Sequence, residues 1–113
     1  MIYLASPYSH PDDHIRSRRF ICAREFVWHH IQLGVDLISP IVYCHQFARD
    51  FGAATNAAAW LSFNEDLYQA CTEVWVLRLL GWQESNGVQA EIAWAFRDMK
   101  PLQFKDPLPY ALV

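Results

Sequence analysis

An α/β domain with a short parallel sheet and helices on both of its faces is the fold this sequence predicts. Short apolar, β-branched runs alternate along the chain with longer stretches of helical periodicity, the pattern of strand-helix-strand crossovers. At 113 residues the chain fits one continuous core. Its 53% hydrophobic and 19% charged residues are a globular composition. No repeat, low-complexity tract or linker divides it, so a single domain over residues 1–113 is expected. Its organisation is expected to be Rossmann-like (flavodoxin-like).

Ile2-Tyr3-Leu4-Ala5 is a short apolar run stopped by Ser6-Pro7 and reads as a buried first strand. Ser9-His10-Pro11-Asp12 sets a hydroxyl three residues before a carboxylate, a helix-capping pattern that tolerates Pro11 in the first turn. Phe20, Ala23, Val27 and Ile31 then recur at helical spacing, with arginines on other faces and Gly34 as the stop. The stretch from Val35 to Ser39-Pro40 predicts a second strand, and residues 41–56 a short helix and a loop holding Gly52. Trp60, Phe63, Leu67 and Cys71 mark another amphipathic helix. Glu73-Val74-Trp75-Val76-Leu77 is the strongest strand signal, being β-branched and aromatic. A turn runs from Gly81 to Gly87. Val88, Ile92, Phe96 and Met99 then share one face of a last helix, which Pro101 ends before a strand at Leu102-Gln103-Phe104. The tail, with Pro107 and Pro109, carries no assignment.

A formal net charge of −3 lacks the basic stripe of a nucleic-acid binder, so no nucleic-acid polymer is expected as a partner. Small anions stay within reach, because local donors rather than net charge bind them. Three widely spaced cysteines without a CxxC pair suit reduced thiols in a cytoplasmic protein. The opening MIYLASPYS has no basic n-region, and its apolar run is too short for a signal or a membrane span, so no membrane partner is expected. Aromatics make up 15% of the chain, five of them Trp, more than a small core needs. The excess suits a stacking pocket or a subunit contact.

Ligands of open parallel sheets bind beyond the carboxyl ends of the strands. Two segments have that address: Ala5-Ser6-Pro7-Tyr8-Ser9 after the first strand, and residues 80–87 after the third. Both are rich in hydroxyls, small residues and backbone N–H groups suited to a phosphate or sugar. Glu91 follows four residues after Gly87, flanked on its own face by Val88 and Ala95. Near a helix N-terminus the dipole would hold it ionised while its neighbours strip part of its water. That combination suits a nucleophile at a glycosidic carbon, and the alternative is a Glu that only completes the helix cap region.

The stretch Ser85-x-Gly87-Val88-x-x-Glu91-x-Ala93-x-Ala95 resembles the signature of the nucleoside 2-deoxyribosyltransferase superfamily. Tyr3-Leu4-Ala5-Ser6-Pro7 is similar to that family's opening strand and nucleotide-facing loop. Asn64-Glu65-Asp66-Leu67 resembles its Asp-Leu helix, and Gly81 the Gly of its Asp-Gly pair. The resemblance covers most of the chain. It departs at Ser85 and Leu80, where transferases carry Asp, and at Ser6, where a Gly is common. A Ser at position 85 is similar to the branch that hydrolyses nucleoside 5′-monophosphates. There a hydroxyl can donate to the phosphate, which a carboxylate would repel.

The resemblance implies an N-glycosidase of retaining scheme, with no cofactor and a nucleoside or nucleotide as its small-molecule partner. Glu91 would attack the anomeric carbon, the base would leave, and water would release the sugar. Asp66 would position the nucleophile region or a sugar hydroxyl. Tyr3 or Tyr8 would line the base or hydrogen-bond Glu91, although Tyr3 also reads as a buried strand aromatic. Ser6, Ser9 and Ser85 would hold the phosphate, Gly81 and Gly87 would let the ligand approach, and Trp82 would stack on the base or stand as a surface-loop aromatic. Arg16, Arg18 and Arg19 read as a solvated helix face or as a phosphate clamp over the first loop. No metal site is expected, since His10 and His14, four apart, lack a third ligand. Sites of this superfamily are commonly finished by a neighbouring subunit, so a homodimer or higher homo-oligomer is expected. A catalytically silent nucleotide-binding, sensing module and a 2-deoxyribosyltransferase are the alternatives.

Overall fold

A computed structural model describes residues 1–109. The four strands are β1 (Ile2–Ala5), β2 (Leu37–Ile38), β3 (Glu73–Leu77) and β4 (Leu102–Lys105), all parallel, in the order β2-β1-β3-β4. The helices are α1 (Asp13–Gln32), α2 (Pro40–Phe51), α3 (Ala57–Gln69) and α4 (Asn86–Arg97), with one 3-10 turn at Trp82–Glu84. The predicted α/β class and its parallel sheet are therefore present.

Side chains alternate across the sheet with a period of two, and the two faces carry separate cores. Tyr3 and Ala5 of β1 with Val74 and Val76 of β3 meet Tyr68 from α3 and Val88, Trp94 and Ala95 from α4. Leu4, Trp75 and Leu77 point the other way and meet Cys22 and Phe26 of α1. Both faces of the central strands are thus covered, which explains why those strands read as unbroken apolar runs. The edge strand β4 carries exposed Gln103 between half-buried Leu102 and a Phe104 that is itself exposed.

The ends of the helices correct two sequence expectations. The cap of α1 is Asp12, which accepts from the His14 N–H at 2.8 Å, and Ser9 lies outside the helix. Pro11 belongs to the approach rather than to the first turn, because Asp12 already takes the extended cap conformation. Of the short helix and loop expected over residues 41–56, the helix is α2, capped by Ser39 and begun by Pro40, and Gly52 closes it in the left-handed conformation (φ 67°).

Two helix faces also differ from the simple periodic reading. Helix α1 buries Phe20, Cys22, Ala23 and Phe26, whereas Ile31 in its last turn is exposed. Helix α4 buries Val88, Glu91, Trp94 and Ala95, while Phe96 is 73% exposed and Met99, 90% exposed, lies beyond the helix end at a φ of 52°. The carboxylate belongs to the core stripe of α4, and two of the apolar residues assigned to that stripe do not.

Candidate functional site

The chain leaves β1 toward β2 on one side of the sheet and enters β3 on the other. The carboxyl ends of β1 and β3 therefore flank a crevice where the winding reverses, the usual position of a ligand in an open parallel sheet. The first loop, from Ser6 to Ser9, and the start of α4 meet over that crevice.

Glu91 forms the floor. It sits in the second turn of α4, four residues below Gly87 on the same helical face, and only 6% of it is exposed. The Tyr3 hydroxyl, projecting from the buried face of β1, donates a hydrogen bond to Glu91 Oε2. Tyr3 is fully buried and is set edge-on to Tyr68 at 5.9 Å, so its ring is packing and its hydroxyl is positioning at once. Burial pushes the Glu91 carboxyl up to about 8, and the donation from Tyr3 only partly opposes it. The expectation of a carboxylate held ionised by the helix dipole is thus corrected. Desolvation wins, because the group lies inside the core stripe and not on the rim of the helix end. Tyr3 itself is pushed far above its ordinary range by burial first and by the adjacent Glu91 second.

Above Glu91 opens a slot of about 50 Å³ whose polar lining includes Ser6, Tyr8, Ser85, Asn56 and Asn64. That space takes about four water-sized groups. It is continuous in its lining with an outer groove of about 480 Å³, since Ser9, Asn56, Ala57, Ser85 and Gly87 border both. A ligand larger than a sugar edge would therefore extend from the slot into the groove.

Two polar atoms in the slot have no partner. Ser6 Oγ is unbonded with the residue 6% exposed, and Asn64 Oδ1 is unbonded as well. An unpartnered buried polar group costs about 1–3 kcal/mol, so two of them on residues that line one cavity mark a place where a ligand's own donors and acceptors fit. Ser85 Oγ caps α4 by accepting from the Val88 N–H at 3.3 Å, which leaves its proton available to the slot. Ser9 is different: its hydroxyl donates to the Thr55 carbonyl at 2.6 Å and is committed to holding the first loop on the α2–α3 connection.

Several residues named from sequence are not in the slot. Asp66 is exposed on α3, and Asn64 takes the place expected for it. Positions two apart on a helix are separated by about 200°, so only one of them can face the crevice. Gly81 and Trp82 belong elsewhere. Gly81 holds φ at 91°, and a Cβ there would come within 2.6 Å of the Arg19 guanidinium, so its task is a tight turn against Arg19. Trp82 packs against the core and lies 5.5 Å from the Phe104 ring. Gly87 does border the slot, where an added Cβ would meet Ala57 at an ordinary 3.5 Å.

Two arginines of α1, Arg16 and Arg19, are structural ties. Arg19 donates to the carbonyls of Ser9 at 3.0 Å, Leu80 at 3.2 Å and Tyr8 at 3.4 Å, stapling the β1 loop to the β3 loop. Arg16 donates to the His10 carbonyl and pairs with Asp13 at 3.2 Å. Sequence reasoning missed Asn64, Trp60 and Cys44 as lining residues, although Trp60 and Asn64 stand four apart, the spacing of one helix face. Among the described residues no group of three His, Cys, Asp or Glu could hold a metal ion. Among them, too, no helix is long and apolar enough to cross a membrane.

These features define a parallel α/β domain with a buried carboxyl at its switch point. Residues 1–105 match the family described as a domain of unknown function, DUF1937, and the chain belongs to that family. A search of curated proteins returned no match.

Proposed function

We propose that this chain cleaves the N-glycosidic bond of a nucleoside 5′-monophosphate, with Glu91 as the nucleophile. One observation carries the reading: a buried carboxyl, held by Tyr3, lies at the floor of a switch-point slot that also contains the unpartnered Ser6 hydroxyl and Asn64 carbonyl. The similarity of the Ser85 to Ala95 stretch to the nucleoside 2-deoxyribosyltransferase superfamily supports the same chemistry, and Ser85 favours its monophosphate-hydrolysing branch. The sugar would enter the slot beside Gly87, with the remainder of the nucleotide in the outer groove. Glu91 in its ionised form would attack the anomeric carbon, and water would then release the sugar. Buried thiols at Cys22, Cys44 and Cys71 fit a cytoplasmic setting. The exposed aromatics Tyr43, Phe51 and Phe63 fit a second copy of the chain completing the groove, which light scattering at high concentration would test.

The sensing-module reading is favoured by the same Glu91 carboxyl, since a group pushed up to about 8 is mostly neutral at pH 7 and can serve as a hydrogen-bond donor. Incubation with a panel of nucleosides and nucleotides, with free base read by chromatography, separates the two. Base release from a 5′-monophosphate supports the glycosidase. Binding without release at any pH up to about 9 favours the sensing module.

A further inference from the structure

We propose that Tyr8, backed by His45, is the acid that protonates the departing base. The proposal rests on the glycosidase reading above. Tyr8 belongs to the first loop, is 8% exposed, and lines the same slot as Glu91. Its Oη lies 2.6 Å from Nδ1 of His45, which is 5% exposed and stacked on Phe20 with centroids 4.3 Å apart. The imidazole thus has little freedom to turn away from the phenol.

Cleavage of an N-glycosidic bond leaves the electron pair on a base nitrogen, which needs a proton to depart at low cost. Glu91 is occupied at the anomeric carbon, and Tyr3 does not line the slot and is committed to Glu91. Two other titratable side chains line it, Tyr8 and Cys44. Tyr8 is set against a second polar side chain that can support its conjugate base. It also borders a second cavity, of about 330 Å³, whose lining includes His45, Arg16, Arg49 and Asp13. Burial first, and then Arg49 and Arg16 against the opposing carboxylates of Asp13 and Asp50, keep the imidazole below its ordinary range and therefore neutral, with one N–H to give.

With that proton on Nδ1, His45 donates to Tyr8 Oη and leaves the phenolic proton directed away from it. As the C–N bond breaks and the Glu91–sugar ester forms, Tyr8 passes its proton to the base nitrogen, and Nδ1–H stabilises the phenolate. In the second step water attacks the anomeric carbon and gives a proton to Tyr8 Oη. The ester bond breaks, and Glu91 and Tyr8 are restored. The sum is nucleotide plus water giving sugar phosphate plus protonated base.

The test compares leaving groups. Wild type, Y8F, H45Q and E91Q are assayed on a nucleoside 5′-monophosphate and on the 4-nitrophenyl glycoside of the same 5-phosphorylated sugar, whose leaving group departs without a proton. Phe keeps the ring of Tyr8 and removes only the hydroxyl. Y8F is expected to lose about 10²- to 10⁴-fold in kcat/KM, which reports on sugar transfer to Glu91 and departure of the leaving group, on the nucleotide and at most about tenfold on the nitrophenyl glycoside, the range of a lost general acid. H45Q should lose less but show the same selectivity, and E91Q should lose both activities. Against an active wild type, a Y8F that keeps its nucleotide turnover, or loses both substrates equally, overturns the assignment and leaves the glycosidase reading standing. A wild type that cleaves neither substrate overturns both.

Discussion

Replacing Glu91 with Gln should make the protein more stable at neutral pH and should make that gain vanish in acid. The carboxyl titrates near 4.5 in the unfolded chain and at about 8 in the folded one. Between those values the folded state keeps a proton that the unfolded state has lost, so stability falls as pH rises. The contribution is fully present below pH 4.5 and is lost as pH rises through about 8. Each pH unit in that window is worth about 1.4 kcal/mol, so at pH 7 the wild type has given up roughly 3 kcal/mol. Gln does not titrate, is close in volume, and its carbonyl can still accept from the Tyr3 hydroxyl. The E91Q variant should therefore exceed the wild type by roughly 3 kcal/mol at pH 7 and match it near pH 4.5, because all other titrations cancel in the difference. Urea unfolding of both proteins at several pH values between 4.5 and 8.5 measures this directly. A stability difference that stays flat across the range would refute the reasoning. It would mean that the α4 dipole and the Tyr3 hydrogen bond already hold the carboxylate ionised in the folded state. A positive result would show a group kept at the site at the expense of stability.

The same ionisation sets activity in the opposite direction: kcat/KM for base release should rise with pH and level off above about 8, and a profile flat from pH 5 to 9 would contradict an ionised Glu91 as the attacking group. With Ser9 committed to Thr55 and Ser6 confined to the slot that takes the sugar, Ser85, which borders both slot and groove, remains as a hydroxyl donor to the phosphate. At about 1.5–3 kcal/mol for a bond to a charged phosphate, a 5′-monophosphate should bind at least about tenfold more tightly than its nucleoside, as calorimetry would read. Gly87→Ala should fold normally, since the new Cβ makes only an ordinary contact with Ala57 and removes a flexible residue from α4, yet it should weaken nucleotide binding by narrowing the slot. Arg19→Ala should leave the sheet intact but loosen the β1 and β3 loops, seen as faster amide exchange at residues 78–85 and lower ligand affinity.

What the sequence determined by itself is what short-range chemistry controls. The apolar runs at Ile2–Ala5 and at residues 74–77 had to be strands buried on both faces, because they offer no polar residue for a solvent-facing side. Gly34 had to fall at a helix end, and Glu91 had to share a face with Val88 and Ala95. Each of these depends on neighbours within four residues. The tertiary structure decided the phase and the partners. A helical period states that Asn64 and Asp66 lie on different faces, but only the docking of α3 selects which one meets the slot. The same holds for α4, where the sheet takes Glu91 and Trp94 and leaves Phe96 and Met99 outside. Arg19 as a staple, Ser9 as a tie to Thr55, and the meeting of Tyr3 with Glu91 across 88 residues are contacts between distant segments. The protonation of Glu91 follows from them as well. The sequence placed the carboxyl at a helix N-terminus, where a dipole favours charge, but its pKa depends on how much water the assembled core removes.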